Sequence, residues 1–420
     1  MNSLKIGQIE AYDPKTDLNY QNARKIIDIL EASGFEARMA GGCVRDRLLG
    51  ITPKDYDVAT TASPEMICTL FEQKGFKPVP TGIDHGTITV VVGGKGVEVT
   101  SLRRDVSTDG RRAVVAFGSS FEEDSLRRDF TINAMYEDKE GVLYDFHGGR
   151  DDLKNGILRF VGDARTRIQE DYLRILRLFR FWARFGFQVV DGTLAVVAEE
   201  VRGLEKISQE RKTSELLLTL ECPHISPVLE AMASSGCLEI LLGLQKITPR
   251  SDSFWSALIL NTKATTGLAR LAVLCVDFAS KEEQWNRLES LRLSRQQIDA
   301  VNVLLDTEGP EPANDPALAY DWLDRTEGLL WVGVWDDFIY PIWKTIRPTS
   351  QLEVLNATIT QNLARRVCPI NGQFLIQNLK CKPGPELGLV LTQIKDGYRR
   401  GQWTTKDQAL AYAKRQLKLK

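Results

Sequence analysis

The sequence predicts an α+β protein, with a mixed α/β region over residues 36–147 followed by an all-α remainder. Three observations carry this prediction. Short extended runs separated by glycine turns crowd the first third of the chain. Beyond residue 150 strand signals fade and apolar residues recur at helical spacing. At 420 residues the chain exceeds the usual size of one domain, so two to four domains are expected.

The elements follow in order. Residues 19–34 read as a helix, apolar at Ala23, Ile26, Ile27 and Leu30 and stopped by Gly34. "FEARMA" is a short strand, Val44 to Leu49 a short helix ending at Gly50, and "DYDVAT" a strand. "GTITVVV" and "VEVTSLR" flank "GGKG" as the arms of a hairpin. After Asp129, "TINAMYE" and "GVLYDF" read as strands that close the region, and "GGRDDL" as punctuation. Helical periodicity marks 167–185, 209–220, 226–235, 267–279 and 282–291, with Ser208 placed to cap the second of these and Glu210 in its first turn. Proline-bearing stretches at 309–316 and 368–385 separate helical blocks.

Composition excludes several classes. With 43% hydrophobic and 26% charged residues the chain reads as globular and soluble, without a signal peptide or a bilayer-length apolar run, so a cytoplasmic protein with no membrane partner is expected. Seven scattered cysteines without a CxxC pair, and three dispersed histidines without a His-Asp dipeptide, argue against disulfides, structural zinc and a His/Asp phosphohydrolase. The net charge of −2 hides two basic segments: seven arginines against three acids over 159–184, and eight basic residues against two acids over 395–420. Both read as local basic surfaces, although a solvated helix face is the plainer account of either alone.

Chemistry concentrates in "GGCVRDRLLGITPKDYDVAT", residues 41–60. Asp55 and Asp57, two apart in a strand, put two carboxylates on one face; taken alone, a polar strand end with two solvated aspartates is the plainer account. Adjacent carboxylates repel, and a cation between them relieves this; oxygen ligands with room for phosphate oxygens fit magnesium. Gly41 and Gly42, between a strand and a short helix, let backbone N–H groups approach an anion, while Arg45 adds fixed positive charge that Asp46 can orient. Together they suit a nucleoside triphosphate with Mg2+. Glu98, between Val97 and Val99 on a neighbouring strand, is a candidate third carboxylate; a solvent-facing position on a one-sided sheet is its alternative.

With "RRDFTINAM" at 127–135, "LKNGILRFVGDA" at 153–164 and "EDYLRILR" at 170–177, this stretch resembles the class II tRNA nucleotidyltransferases, the CCA-adding enzymes and their bacterial poly(A) polymerase relatives. The resemblance spans roughly residues 36–220. It implies a β-polymerase-type catalytic head over 1–150, then helical neck (151–235), body (236–345) and tail (346–420). It further implies metal binding by Asp55 and Asp57, contacts of Arg128, Asp129 and Asn133 with the ribose and phosphates of the incoming nucleotide, and base reading by Asp171 and Arg174. Gly42 and Arg45 complete the expected nucleotide site. Lys414, Arg415 and Lys418 in the basic tail are expected to hold RNA. The expected partners are the tRNA 3′ end, CTP and ATP.

The base-reading pair also follows from chemistry. Three apart in a helical segment, Asp171 and Arg174 share a face. A carboxylate accepts from an amino group, and a guanidinium donates to a ring nitrogen. Cytosine and adenine both present an amino group beside a ring-nitrogen acceptor, whereas uracil and guanine present a carbonyl beside a ring N–H. One such pair therefore accepts C and A and rejects U and G. An intrahelical salt bridge is the alternative.

Residues 103–121 are polar, basic at their start and glycine-punctuated. In the family this position holds a flexible loop associated with addition of the terminal A; a surface hairpin without function is the alternative. "TGIDHGTITVV" at 81–91 resembles the CCA-adding branch rather than the poly(A) polymerases, which carry a Gly-Arg-Arg-Phe type sequence there. Poly(A) synthesis, terminal-A addition alone and a catalytically silent RNA-binding homologue stand behind CCA addition.

Overall fold

In a computed structural model, the structure describes residues 16–83, 86–108, 113–118, 120–244, 267–275, 281–295, 370–379, 384–399 and 405–417, with a few single positions besides. His85, residues 109–112, most of 236–345 and Lys418 lie outside the described residues. The chain forms two compact units, Met1–Glu215 with Pro227–Gln245, and Leu216–Ser226 with Lys246–Lys420.

The first unit opens with α1 (Leu18–Ala32), whose buried Ala23, Ile26, Ile27 and Leu30 pack one face, and whose first turn is capped by the Asp17 carboxylate. Then follow β1 (Ala37–Ala40), α2 (Gly42–Leu48), β2 (Asp57–Thr60), α3 (Pro64–Gln73), β3 (Lys77–Gly82), β4 (Thr87–Val92) and β5 (Lys95–Ser101). The hairpin of β4 and β5 turns on Gly93 and Gly94, both at positive φ (58° and 80°), which suits a two-residue turn. β6 (Arg103–Thr108) and β7 (Ala113–Phe117) form a separate antiparallel ribbon. A full capping box at Ser120 and Glu123 starts α4 (Phe121–Leu126). β8 (Met135–Glu137) and β9 (Leu143–Asp145) complete a seven-stranded sheet of order β3-β4-β5-β2-β1-β8-β9. Its neighbours are antiparallel except β2 and β5, which run parallel.

Helices take over after the sheet: α5 (Gly149–Asn155), α6 (Ala164–Glu170), α7 (Leu173–Phe185), α8 (Thr193–Glu200), α9 (Gln209–Leu220), α10 (Ile225–Ser234) and α11 (Cys237–Leu242). A two-stranded parallel pair, β10 (Ile157–Leu158) with β11 (Gln188–Val189), lies among them. In the second unit α12 (Gly267–Cys275) and α13 (Lys281–Ser290) precede α14 (Gly372–Leu379), α15 (Pro385–Arg399) and α16 (Lys406–Gln416). The last three bury Leu375, Leu387, Val390, Ile394, Ala409 and Ala413 in a core of their own.

Four local expectations are corrected. "DYDVAT" is extended only from Asp57, because β1 ends where Gly41 (φ 72°) turns the chain into α2, and Tyr56 turns its hydroxyl to Asp17 Oδ2 at 2.9 Å. "TINAMYE" begins as a 3-10 turn, Thr131–Asn133. "GGRDDL" starts a helix: the Asp145 carboxylate accepts from the backbone N–H groups of Gly149 and Arg150, both at 2.9 Å. Residues 167–185 are two helices, parted at Asp171, which is extended (φ −151°, ψ 104°).

Candidate active site

Parallel register places Asp57 of β2 opposite Glu98 of β5, and paired residues in a ladder point to one face. Glu98 alternates with buried Val97 and Val99, so the face opposite the carboxylates is packed. Asp55 lies exposed, just ahead of β2. Burial, the neighbouring Glu98 and, less strongly, Asp55 raise the Asp57 carboxyl from its ordinary 3.8 to about 6, although Arg128 opposes them. Asp57 thus lies within electrostatic reach of both Glu98 and Asp55, but Asp55 stands in an irregular segment ahead of the strand, not in the strand as the sequence predicts.

That strain tests the fit of a metal. A carboxylate held above its ordinary range by burial first, and then by Glu98, is under-compensated by positive charge, and an oxygen-only donor set of this kind suits a hard divalent cation. Among the described residues no three His, Cys, Asp or Glu side chains close into a ready-made cage. A partial set leaves positions for water and phosphate oxygens.

Gly41 caps α2 without a side chain. Its positive φ favours glycine, and a Cβ there would stand 2.7 Å from Arg128 Nη1, so the guanidinium would have to shift to admit one. At Gly42 the nearest atom, Arg45 Nη2, would be 3.6 Å from a Cβ, an ordinary contact. Of the two glycines singled out in the sequence, Gly41 therefore carries the conformational demand. Arg128 donates to Tyr136 Oη (3.1 Å), to the Asn133 carbonyl (3.3 Å) and to Asp124 Oδ2 (3.3 Å). Burial alone would lower its pKa, but Tyr136 and Asp124 outweigh this and hold it above the ordinary value.

Arg45 is buried. It donates to Asp46 Oδ1 (2.9 and 2.7 Å) and to Asn133 Oδ1, and it faces the Phe181 and Phe185 rings at 5.2 and 5.1 Å. Asp46 does orient it, as expected, and also accepts from Arg184 at 2.9 Å. Asp129 accepts from the Phe130 N–H (2.8 Å), Asn133 Nδ2 (3.0 Å) and Arg177 Nε (2.7 Å). Burial would raise its pKa; Arg177 and Asn133 instead bring it down to about 2.

Asp171 and Arg174 do not share a helix face, since the chain breaks between them, and their bonds go to other groups. Asp171 accepts from the Leu173 N–H (3.1 Å) and from Arg211 Nη2 (2.8 Å). Arg174 donates to Glu170 Oε2 (2.6 Å) and to the carbonyls of Arg167 (2.7 Å) and Arg127 (2.8 Å). An Asp171–Arg174 salt bridge is therefore not what the two residues form.

The seven arginines of 159–184 do not make an open basic surface. Arg159 meets Asp152, Arg165 meets Glu199 and Glu200, Arg167 and Arg174 meet Glu170, Arg177 meets Asp129, Arg180 meets Glu215, and Arg184 meets Asp46. Most of these carboxylates come from other segments, which local charge counting does not register. Lys414 and Arg415 stand exposed on the last turn of α16.

A carboxylate pair on adjoining strands, a glycine-started helix and a buried Arg-Asp-Asn network beside it are the parts of a nucleotidyltransferase head. The chain matches the Poly A polymerase head domain family over residues 37–159, and the family described as a probable RNA and SrmB-binding site of polymerase A over 186–246. It is 34% identical to the mitochondrial CCA tRNA nucleotidyltransferase 1 of Danio rerio, over 92% of this chain and 89% of that protein. It is 33% identical to the CCA-adding enzyme of Streptococcus sanguinis, over 90% and 92%. Its fold superposes on the Bacillus stearothermophilus CCA-adding enzyme in complex with CTP, with a TM-score of 0.65 and 26% identity over 96% of this chain and 98% of that one. The Thermotoga maritima CCA-adding enzyme complexed with tRNA shares the fold at a TM-score of 0.59 and 22% identity, over 97% of both chains. The chain belongs to the class II CCA-adding tRNA nucleotidyltransferase family, whose chemistry uses divalent metal. Among the described residues no helix is long and apolar enough to cross a membrane.

Arg177 and Arg211 are the contacts that the sequence reading missed. The signal for Arg177 was present as the recurrence Arg174, Arg177, Arg180, Arg184 along α7. For Arg211, 40 residues from Asp171, there was none.

Proposed function

We propose that this protein extends the 3′ end of tRNA by C, C and A from CTP and ATP, without a template, using Mg2+ and acting in the cytoplasm. The observation that carries the reading is the register of Asp57 with Glu98 beside the Gly41 turn. Asp57 and Asp55 would hold the cations, with Glu98 completing the set. Divalent cations bound there supply charge neutralisation of the triphosphate and activation of the attacking 3′ hydroxyl.

The chain's own residues do the rest. Arg128, against the Gly41 turn, would meet the phosphates, and the Asp129–Asn133 pair, held by Arg177 and Arg45, would fix the sugar. Asp171 accepts from the amino group of C or A, and Arg174 donates to the ring nitrogen. The opposite hydrogen-bond pattern of U and G meets repulsion on both groups. The β6–β7 ribbon takes the place of the loop associated with terminal A addition. Lys414 and Arg415 contact the RNA backbone.

Incubation of a tRNA transcript lacking the tail with each labelled nucleotide tests this. Magnesium-dependent incorporation of C and A, with U and G excluded and growth halting after three residues, is expected. A long adenosine ladder would indicate a poly(A) polymerase, and no incorporation would indicate an RNA-binding homologue.

A further inference from the structure

A carboxylate sorts bases only if its acceptor atoms are held in a fixed direction. Asp171 lies between α6 and α7, and its two oxygens have different partners. Oδ1 accepts from the Leu173 N–H, which ties it to the start of its own helix. Oδ2 accepts from Arg211 Nη2 at 2.8 Å, a residue delivered by α9 from 40 positions further along the chain. The two side chains are 30% and 44% exposed, so the pair is open to solvent. An ion pair this exposed contributes little to stability, so its effect is sought in geometry.

We propose that Arg211 is a specificity-positioning residue, one that fixes the carboxylate plane of Asp171 so that its remaining lone pairs meet the amino group of an incoming cytosine or adenine. The proposal rests on the reading of Asp171 and Arg174 as the base-sorting pair. An ionised carboxylate has about four acceptor positions, and two are occupied here. Rotation about the terminal torsion of aspartate is soft. Without Arg211 the plane turns freely, the amino group loses a directed partner, and a carbonyl of U or G is opposed less sharply. Arg174 has its own support in Glu170 and two backbone carbonyls, so the two halves of the reader are held independently.

The test is the efficiency of CTP over UTP, and of ATP over GTP, on tRNA transcripts, for wild type, Arg211→Ala, Arg211→Lys, Asp171→Ala and the double variant Asp171→Ala/Arg211→Ala. Loss of one orienting hydrogen bond predicts that Arg211→Ala lowers both ratios about three- to tenfold. Arg211→Lys, which keeps one charged donor, regains part of the loss. Asp171→Ala lowers the ratios further, and adding Arg211→Ala to it changes them no more, because Arg211 acts through Asp171. Wild-type ratios in Arg211→Ala, with Asp171→Ala impaired, would overturn the proposal and leave the pair a tie between helices. Additive losses in the double variant would overturn it too. Unchanged ratios in Asp171→Ala would instead refute the base-reader assignment itself, and the role of Arg211 with it.

Discussion

Replacing Asp57 by Asn should stabilise the metal-free protein while abolishing its activity. In the folded state its pKa is raised from 3.8 to about 6 by burial and by Glu98, with Asp55 adding to them, so above pH 6 the folded protein carries an ionised group that it holds unfavourably. Two pKa units correspond to about 3 kcal/mol, and partial access of water to the side chain reduces this to about 1–3 kcal/mol. The sign follows from proton counting. Between pH 3.8 and 6 the folded state binds more protons than the unfolded one, so the penalty is complete above pH 6, shrinks as pH falls, and is gone below the unfolded value. The gain from Asp57→Asn is therefore greatest near pH 8 and about half as large near pH 5. For a unit of this size it amounts to roughly 2–10 °C in the unfolding transition. Calorimetry in chelator across that pH range measures it. Added Mg2+ should raise the wild-type transition and leave that of the variant unmoved, with nucleotide addition by the variant down about a hundredfold or more. A variant less stable than wild type at pH 8, or a gain that grows on acidification, would refute the electrostatic account of this cluster.

Further outcomes follow from the same geometry. Gly41→Ala, with a positive φ and a Cβ 2.7 Å from Arg128 Nη1, should destabilise the first unit by about 1–3 kcal/mol, whereas Gly42→Ala should melt near wild type; differential scanning calorimetry compares them, and equal losses would contradict the assignment of the turn to Gly41. Replacing Lys414 and Arg415 together by Ala should weaken tRNA binding and reduce its salt slope by roughly 1–2; an unchanged slope would make them the dipole-complementing last turn of a helix and nothing more. Shortening the β6–β7 ribbon should impair ATP incorporation more than CTP incorporation, read as the ratio of the two rates on transcripts ending in CC and in C. Equal losses would assign the ribbon to folding or to a shared step.

What was legible in the sequence was whatever local periodicity encodes. The buried stripe of α1, the Gly93–Gly94 hairpin and the start of α9 stand where spacing and turn chemistry put them. The break at Asp171 was not legible: no Gly or Pro marks it, and apolar residues recur through it without interruption. What interrupts the helix is an aspartate whose carboxylate caps Leu173 and pairs with Arg211. The arginines of α7 were misread as a surface for a similar reason, because Asp46, Asp129 and Glu215 come from sequence positions 138, 48 and 35 residues away. Glu98 was the opposite case. A glutamate between two valines signals a one-faced strand, and the parallel register then sets it beside Asp57.

The most direct measurement uses three tRNA transcripts, ending before the tail, after C and after CC, each incubated with Mg2+ and either CTP or ATP alone and resolved at single-nucleotide length. The account predicts that CTP extends the first by two and the second by one, that ATP extends the third by one, and that growth then stops. A CC-ended transcript left unextended by ATP, a first transcript extended by ATP into a ladder, or incorporation independent of Mg2+ would contradict it.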